Sequence, residues 1–135
     1  VSDDAGRPGP ARRRAKRGRL SRSAEFERVY RQGRSLGNRY LVLYTFPRSA
    51  AGAQPTLQEG PRLGVSVSRK VGGAVDRNKV KRLLREAFAT EGDRLPADHD
   101  VVVVARPDVR ELAEREGLEG VRVALDELIA KATAP

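Results

Sequence analysis

Residues 77–85 (RNKVKRLLR) hold five cations and no acid. Lys and Arg are the side chains that bind phosphate, and Arg does so with a two-pronged fork. An amide among them, Asn78, has the donors and acceptor to meet a base edge or a 2′-hydroxyl. At about 100° per residue, Asn78, Arg82 and Arg85 leave one side of a helix, flanked by Arg77 and Lys81. Val80, Leu83, Leu84, Ala87 and Phe88 leave the other side. A charge run on a helix is commonly a solvated face, but such faces alternate in sign. This one does not, and the chemistry it points to is the binding of a polyanion. Arg69 and Lys70 stand just before it, on the approach to Gly72 and Gly73.

Other chemistry finds little support. Gly72-Gly73 occupies the place of a phosphate loop, yet neither GxxxxGK[ST] nor GxGxxG is present, so a tight turn is the better reading. The chain has no Cys and one His, His99. Thiolate metal sites, disulfides and His-based triads are therefore excluded or left without partners. Eleven of the carboxylates lie between residues 91 and 127, where presumed surface helices and solvated charge account for them. Three aromatics form the remaining candidate group. Phe26 and Tyr30 share a helix face, and Tyr44 lies on a strand that could pack beneath them. The core is the usual fate of such residues, while a stacking platform for single-stranded RNA is the functional alternative.

The elements that must position these groups follow from pattern. With 135 residues the chain fits one domain, residues 20–135, preceded by an arm at 1–19. That arm is rich in Gly, Pro and Arg and lacks the apolar content to fold. A helix is expected from Ser23 to Gln32, stopped by Gly33. A strand follows at Arg39–Phe46, with Tyr40, Val42, Tyr44 and Phe46 on one face and Leu41, Leu43 and Thr45 on the other. Residues 47–61 read as a long loop. A second strand, Arg62–Ser68, is expected to pair with the first as a long hairpin. The basic helix is expected to start at Asp76 as N-cap. Asp100–Ala105 contains four consecutive Val and reads as a buried central strand. A short helix near 108–116 and a longer one over 118–129 complete an order α-β-β(-β)-α-β-α.

The net charge of +9 and pI near 10.8 favour a nucleic-acid partner. The charge is unevenly spread: residues 62–90 carry eight Lys and Arg against two acids, and residues 91–135 carry six against eleven. The last third is thus expected to face away from the polyanion. No apolar run approaches the ~20 residues that span a bilayer, and no signal-like segment opens the chain. A cytoplasmic protein with no membrane partner is the expectation.

The stretch from Arg62 to Phe88 resembles the protein component of bacterial ribonuclease P. That family carries V-S-[KR]-K-x-G-x-A-V, matched by Val67-Ser68-Arg69-Lys70-Val71-Gly72-Gly73-Ala74-Val75. It continues with R-N-R-[IV]-K-R-x-x-R-[EQ], matched from Arg77 to Glu86 with Lys79 at the second Arg. Phe26, Val29, Tyr30 and Gly33 upstream, Leu43-Tyr44, and Asp100–Ala105 before Arg106-Pro107 extend the resemblance over about residues 20–130. Tyr30 stands where Phe is common. Lys79 retains charge without the Arg fork.

The resemblance implies an α/β (α+β) two-layer sandwich with a small mixed sheet and a left-handed βαβ crossover, an exception to the usual hand. It implies the protein subunit of a ribonucleoprotein endoribonuclease that removes the 5′ leader of precursor tRNA. The catalytic RNA and its Mg²⁺ carry the chemistry, so no catalytic or metal-binding residue is assigned to the protein. Contacts to the catalytic RNA would come from Arg69, Lys70, Arg77, Asn78, Lys79, Lys81, Arg82 and Arg85. The leader would meet Phe26, Tyr30 and Tyr44. The competing reading from charge alone is a non-catalytic RNA-binding protein, such as a ribosomal or assembly factor.

Overall fold

The computed structural model describes residues 23–47 and 60–134. The basic arm at 1–19 and residues 48–59 of the expected loop lie outside the described residues. The first helix, α1, runs Ser23–Gln32 and ends where expected, with the Gly33 amide donating to the Val29 carbonyl at 2.9 Å. A Cβ at Gly33 would sit 2.4 Å from that carbonyl oxygen and 2.7 Å from that of Thr45. Only glycine lets the helix end come this close to the neighbouring strand.

Strand β1 (Arg34–Gly37) turns into β2 (Leu41–Pro47), β3 is Arg62–Val67, and the basic helix α2 spans Ala74–Glu91. A 3-10 turn (Gly92–Arg94) leads to β4 (His99–Ala105), and α3 (Val109–Ala132) closes the chain. Within α3, Gly117 takes φ 62°, ψ −145° and divides the helix at the point where the sequence predicts two helices. The left-handed region is open to Gly without the penalty a Cβ brings.

The sheet order is β1-β2-β4-β3, antiparallel except for the parallel β3/β4 pair joined through α2. The expected β2–β3 hairpin therefore does not form. β4 lies between them, because its Val101–Val104 run is apolar on both faces and suits an inner strand covered on both sides. Two further expectations shift. The N-cap of α2 is Gly73, and Asp76 sits in the first turn facing Arg110 at 3.4 Å. Tyr40 precedes β2 rather than lying within it. The Asn38 side chain accepts hydrogen bonds from the Tyr40 and Leu41 amides, both at 2.9 Å, and so bends the chain there. Tyr40 then packs against the main core, the side to which Leu41 and Leu43 point, while Tyr44 packs with the minor one.

Pairing register separates the two faces. Leu41 and Leu43, Leu63 and Val67, and Val101, Val103 and Ala105 point to one side. There they meet Val80, Leu83, Leu84, Ala87 and Phe88 of α2 and Leu112, Val121, Leu125, Leu128 and Ile129 of α3 in one core. This is the main sandwich, and the buried stripe of α2 is the one the sequence periodicity predicts. On the opposite side α1 lies across one end only, where Val29 is buried with Phe46 and Val102.

Candidate nucleic-acid interface

Because α2 buries one stripe against the sheet, its remaining side chains face outward. Asn78, Lys79, Arg82 and Arg85 are exposed, and Arg77 and Lys81 are half-buried at the flank. The spacing puts Arg77, Lys81 and Arg85 on one ridge and Asn78 and Arg82 on the next. Lys79 is the exception. Two residues of helix turn it about 160° from Arg77, onto the other flank. It stands near Val75, which is 82% exposed. Before the helix, the turn after β3 is held by buried Val71, whose amide donates to the Ser68 carbonyl at 3.1 Å. That anchor leaves Arg69 and Lys70 projecting into solvent.

The electrostatics of α2 and α3 differ in kind. On α3, Arg122 bonds Glu119 at 2.6 Å and Glu91 at 2.9 Å. Those bonds raise the Arg122 guanidinium above its ordinary pKa, and the bond from Arg122 holds the Glu119 carboxyl below its own. Arg110 and Arg115 pair with Glu114 and Glu116, and Arg94 with Asp126. Among the described residues, Arg69, Lys70, Arg77, Lys79, Lys81 and Arg82 form no ion pair, and the Arg77 Nε is buried without a hydrogen-bond partner. The arginines of α3 are neutralised within the protein; Arg77, Lys79, Lys81 and Arg82 of α2 are cations that an outside anion can neutralise.

The second group assembles on the opposite face of the sheet. Phe26 and Tyr30 follow one another along α1 with ring centroids 6.3 Å apart, and Tyr30 meets Tyr44 of β2 edge-on at 5.0 Å. Tyr30 is 38% exposed, and with Phe26, Ser23 and Glu27 it lines an open pocket of about 360 Å³. All three predicted aromatics thus come together, half in the minor core and half at the surface. Phe46 and Phe88 are buried in the core, and Tyr40 stacks under Arg39 elsewhere.

Register extends this group into a groove. Three rows cross the α1 face of the sheet: Phe46-Asp100-Arg62 beneath α1, then Ser35-Tyr44-Val102-Gly64, then Gly37-Val42-Val104-Ser66. Val42, Val104 and Ser66 of the last row are half-buried. Its β3 end leads directly to Arg69 and Lys70. Arg106 reaches the other end, its Nη2 lying 3.3 Å from the position a Gly37 Cβ would take. Sequence reasoning missed this floor and Arg106, because strand faces can be matched across a sheet only once the pairing is known.

It also missed Asp100, the one charged side chain buried among the described residues. Counted in sequence with the solvated carboxylates, it instead accepts a fork from Arg62, Nε to Oδ1 at 2.8 Å and Nη2 to Oδ2 at 2.9 Å. The two residues lie opposite one another in the β3/β4 register. No cluster of three or more His, Cys, Asp or Glu able to hold a metal occurs among the described residues. No described helix is long and apolar enough to cross a membrane.

Comparison with known proteins matches this geometry to one family. The family profile described as Ribonuclease P fits residues 15–131. The ribonuclease P protein component of Bacillus pumilus is 43% identical over 101 residues, covering 75% of this chain and 79% of its own. That of Shouchella clausii is 40% identical over 114 residues, 84% of each chain. The solved structure of the Staphylococcus aureus RNase P protein superimposes with a TM-score of 0.70 at 32% identity. The overlap covers 84% of this chain and 94% of that one.

Proposed function

This chain belongs to the ribonuclease P protein family, and from that membership and its two unlike faces we infer how it divides the binding of two RNAs. It is the protein subunit of a ribonucleoprotein endoribonuclease that matures tRNA 5′ ends, and an RNA subunit is its partner. We assign the catalytic RNA to the outer face of α2 and the turn before it. Arg69, Lys70, Arg77, Asn78, Lys81, Arg82 and Arg85 meet it there, with Lys79 contributing charge from the flank. The groove beside α1 receives the 5′ leader of precursor tRNA, with Phe26, Tyr30 and Tyr44 as the surface on which its bases stack.

The observation that carries this reading is the contrast between Arg77, Lys79, Lys81 and Arg82 of α2, which form no ion pair among the described residues, and Arg110, Arg115 and Arg122 of α3, which do. A solvated helix has no reason to leave its cations without acids; a phosphate-binding one does. Mg²⁺ is expected to act from the RNA. The protein instead supplies fixed positive charge and a stacking surface that hold substrate in register with the RNA. Its place of action is proposed to be the cytoplasm, with precursor tRNA.

The test is leader cleavage by the cognate catalytic RNA at low Mg²⁺, with and without this chain. Stimulation is expected. Cleavage that proceeds equally without the protein would remove the proposed substrate-binding role.

A further inference from the structure

The leader groove exists only if α1 is held at a fixed height above the sheet, and among the described residues its holds can be named. Among buried side chains α1 contributes Val29 alone. A second tie joins its first turn to the sheet. Arg62 gives Nε and Nη2 to Asp100, and its Nη1 lies 3.3 Å from the Glu25 carboxylate of α1. The side chains are 23% exposed for Arg62, 19% for Glu25 and 2% for Asp100. The tie is therefore well shielded from water, unlike the Arg115–Glu116 pair of α3. Asp100 lies on the inner strand β4 and Arg62 opposite it on β3, so the fork is fixed in direction by the sheet. Glu25 directly precedes Phe26 and lies one turn before Val29.

We propose that the Asp100–Arg62–Glu25 chain is a positioning device for the leader groove: Arg62 and Glu25 set the seat of α1, and through it the placement of Phe26 and Tyr30 against Tyr44. Neither residue touches the leader. The inference rests on the assignment of the groove to the leader, and it adds residues to which that assignment gives no role. Arg62 is held in direction by the sheet-borne Asp100, so the Nη1 it turns to Glu25 is a fixed point. Glu25 is the only acid of α1 that reaches it. Glu27, the other acid on the helix, bonds Arg31 at 2.8 Å instead.

The test uses the holoenzyme reconstituted with its catalytic RNA and full-length protein. Affinity is measured for precursor tRNA and for the same tRNA without a leader. Glu25→Ala is the primary variant, since it leaves the Arg62–Asp100 fork intact and avoids orphaning a buried charge. Glu25→Ala is expected to weaken leader-bearing substrate by roughly three- to tenfold, the scale of coupling between groups in contact, and to leave leaderless tRNA unchanged. In a Tyr44→Ala background the same substitution should add nothing, because the surface it positions is already gone. Equal losses for both substrates would mean general destabilisation and would overturn the inference. So would an unchanged leader dependence in Glu25→Ala while Tyr44→Ala alone loses it, an outcome that leaves the groove assignment standing. If Tyr44→Ala itself keeps full leader dependence, the groove assignment fails and the positioning role fails with it.

Discussion

Tyr30 of α1 and Tyr44 of β2 meet edge to face, their ring centroids 5.0 Å apart and their planes at 76°. The contact joins the helix to the sheet and leaves part of Tyr30 in solvent. A ring held this way cannot swing aside, so its free surface is ready for a base without further ordering cost. Tyr30→Ala and Tyr44→Ala are each expected to cost about 1–3 kcal/mol of leader-dependent affinity, the range for one base stacked on an aromatic. Tyr→Phe at either position keeps the ring and should retain most of it. Comparing binding of leader-bearing and leaderless tRNA by the holoenzyme checks both.

The α2 face predicts a signature in salt. Arg82 lies near the centre of the outward face, exposed and without an acid partner among the described residues. Arg82→Ala should weaken binding to the catalytic RNA and flatten the dependence of log K on log salt by roughly 0.7–0.9, one phosphate contact. Arg115, exposed on α3 and paired with Glu116 at 3.3 Å, is the control. Arg115→Gln should leave the slope as it is. Equal slopes for wild type and Arg82→Ala would take Arg82 out of the interface.

How far the sequence reveals this arrangement depends on whether the deciding contact is local. The α2 stripe repeats every three or four residues, so Val80, Leu83, Leu84, Ala87 and Phe88 announce their shared fate, and the cations opposite announce theirs. Asp76 has the chemistry of an N-cap, but an acid also suits the first turn, and only the backbone distinguishes the two. Strand order is less accessible. Val101–Val104 carries no alternation, so nothing in it tells which neighbour lies on which edge, and β2 and β3 look like partners because they are consecutive. The pairing of Arg62 with Asp100 spans 38 residues and depends wholly on that order. The groove is hidden for the same reason. Its rows combine Gly37, Val42, Val104 and Ser66 from four strands.

Arg106 extends the groove reading. Its guanidinium lies over Gly37 at the open end of the floor, exposed and without an ion pair among the described residues. A cation at the end of the uncharged row Gly37-Val42-Val104-Ser66 gives a passing backbone one phosphate site. Arg106→Gln should lower the salt slope for leader-bearing substrate by about one contact, with no change for leaderless tRNA. A loss shared by both substrates would place Arg106 against the tRNA body or the catalytic RNA instead.

Gly33 is where space decides. A methyl group there would press on the carbonyl oxygens of Val29 and Thr45 at 2.4 and 2.7 Å, both backbone atoms that cannot rotate away. Gly33→Ala is expected to destabilise the fold by about 1–3 kcal/mol, the cost typical of overpacking. The change should appear as a lowered urea midpoint at unchanged m. The strain falls at the joint between α1 and β2, so leader discrimination should weaken before binding of the catalytic RNA does.

The Arg62–Asp100 pair can be asked whether it serves stability or placement. Asp100→Ala leaves Arg62 without its sheet-borne partner in a shielded site, and breaking a buried pair in this way typically costs about 3–5 kcal/mol. For a domain of this size that is a large share of the total. Replacing both partners, Arg62→Met with Asp100→Leu, removes the buried charge altogether and should recover much of the loss, because desolvation then no longer opposes folding. Glu25 would lose its partner but has enough water contact to remain solvated. If the pair is there for stability, the double variant should either stay unstable or regain stability and leader discrimination together. If it seats α1, stability returns and discrimination does not. Denaturant unfolding and the affinity ratio between leader-bearing and leaderless tRNA, measured on the same double variant, separate the two roles.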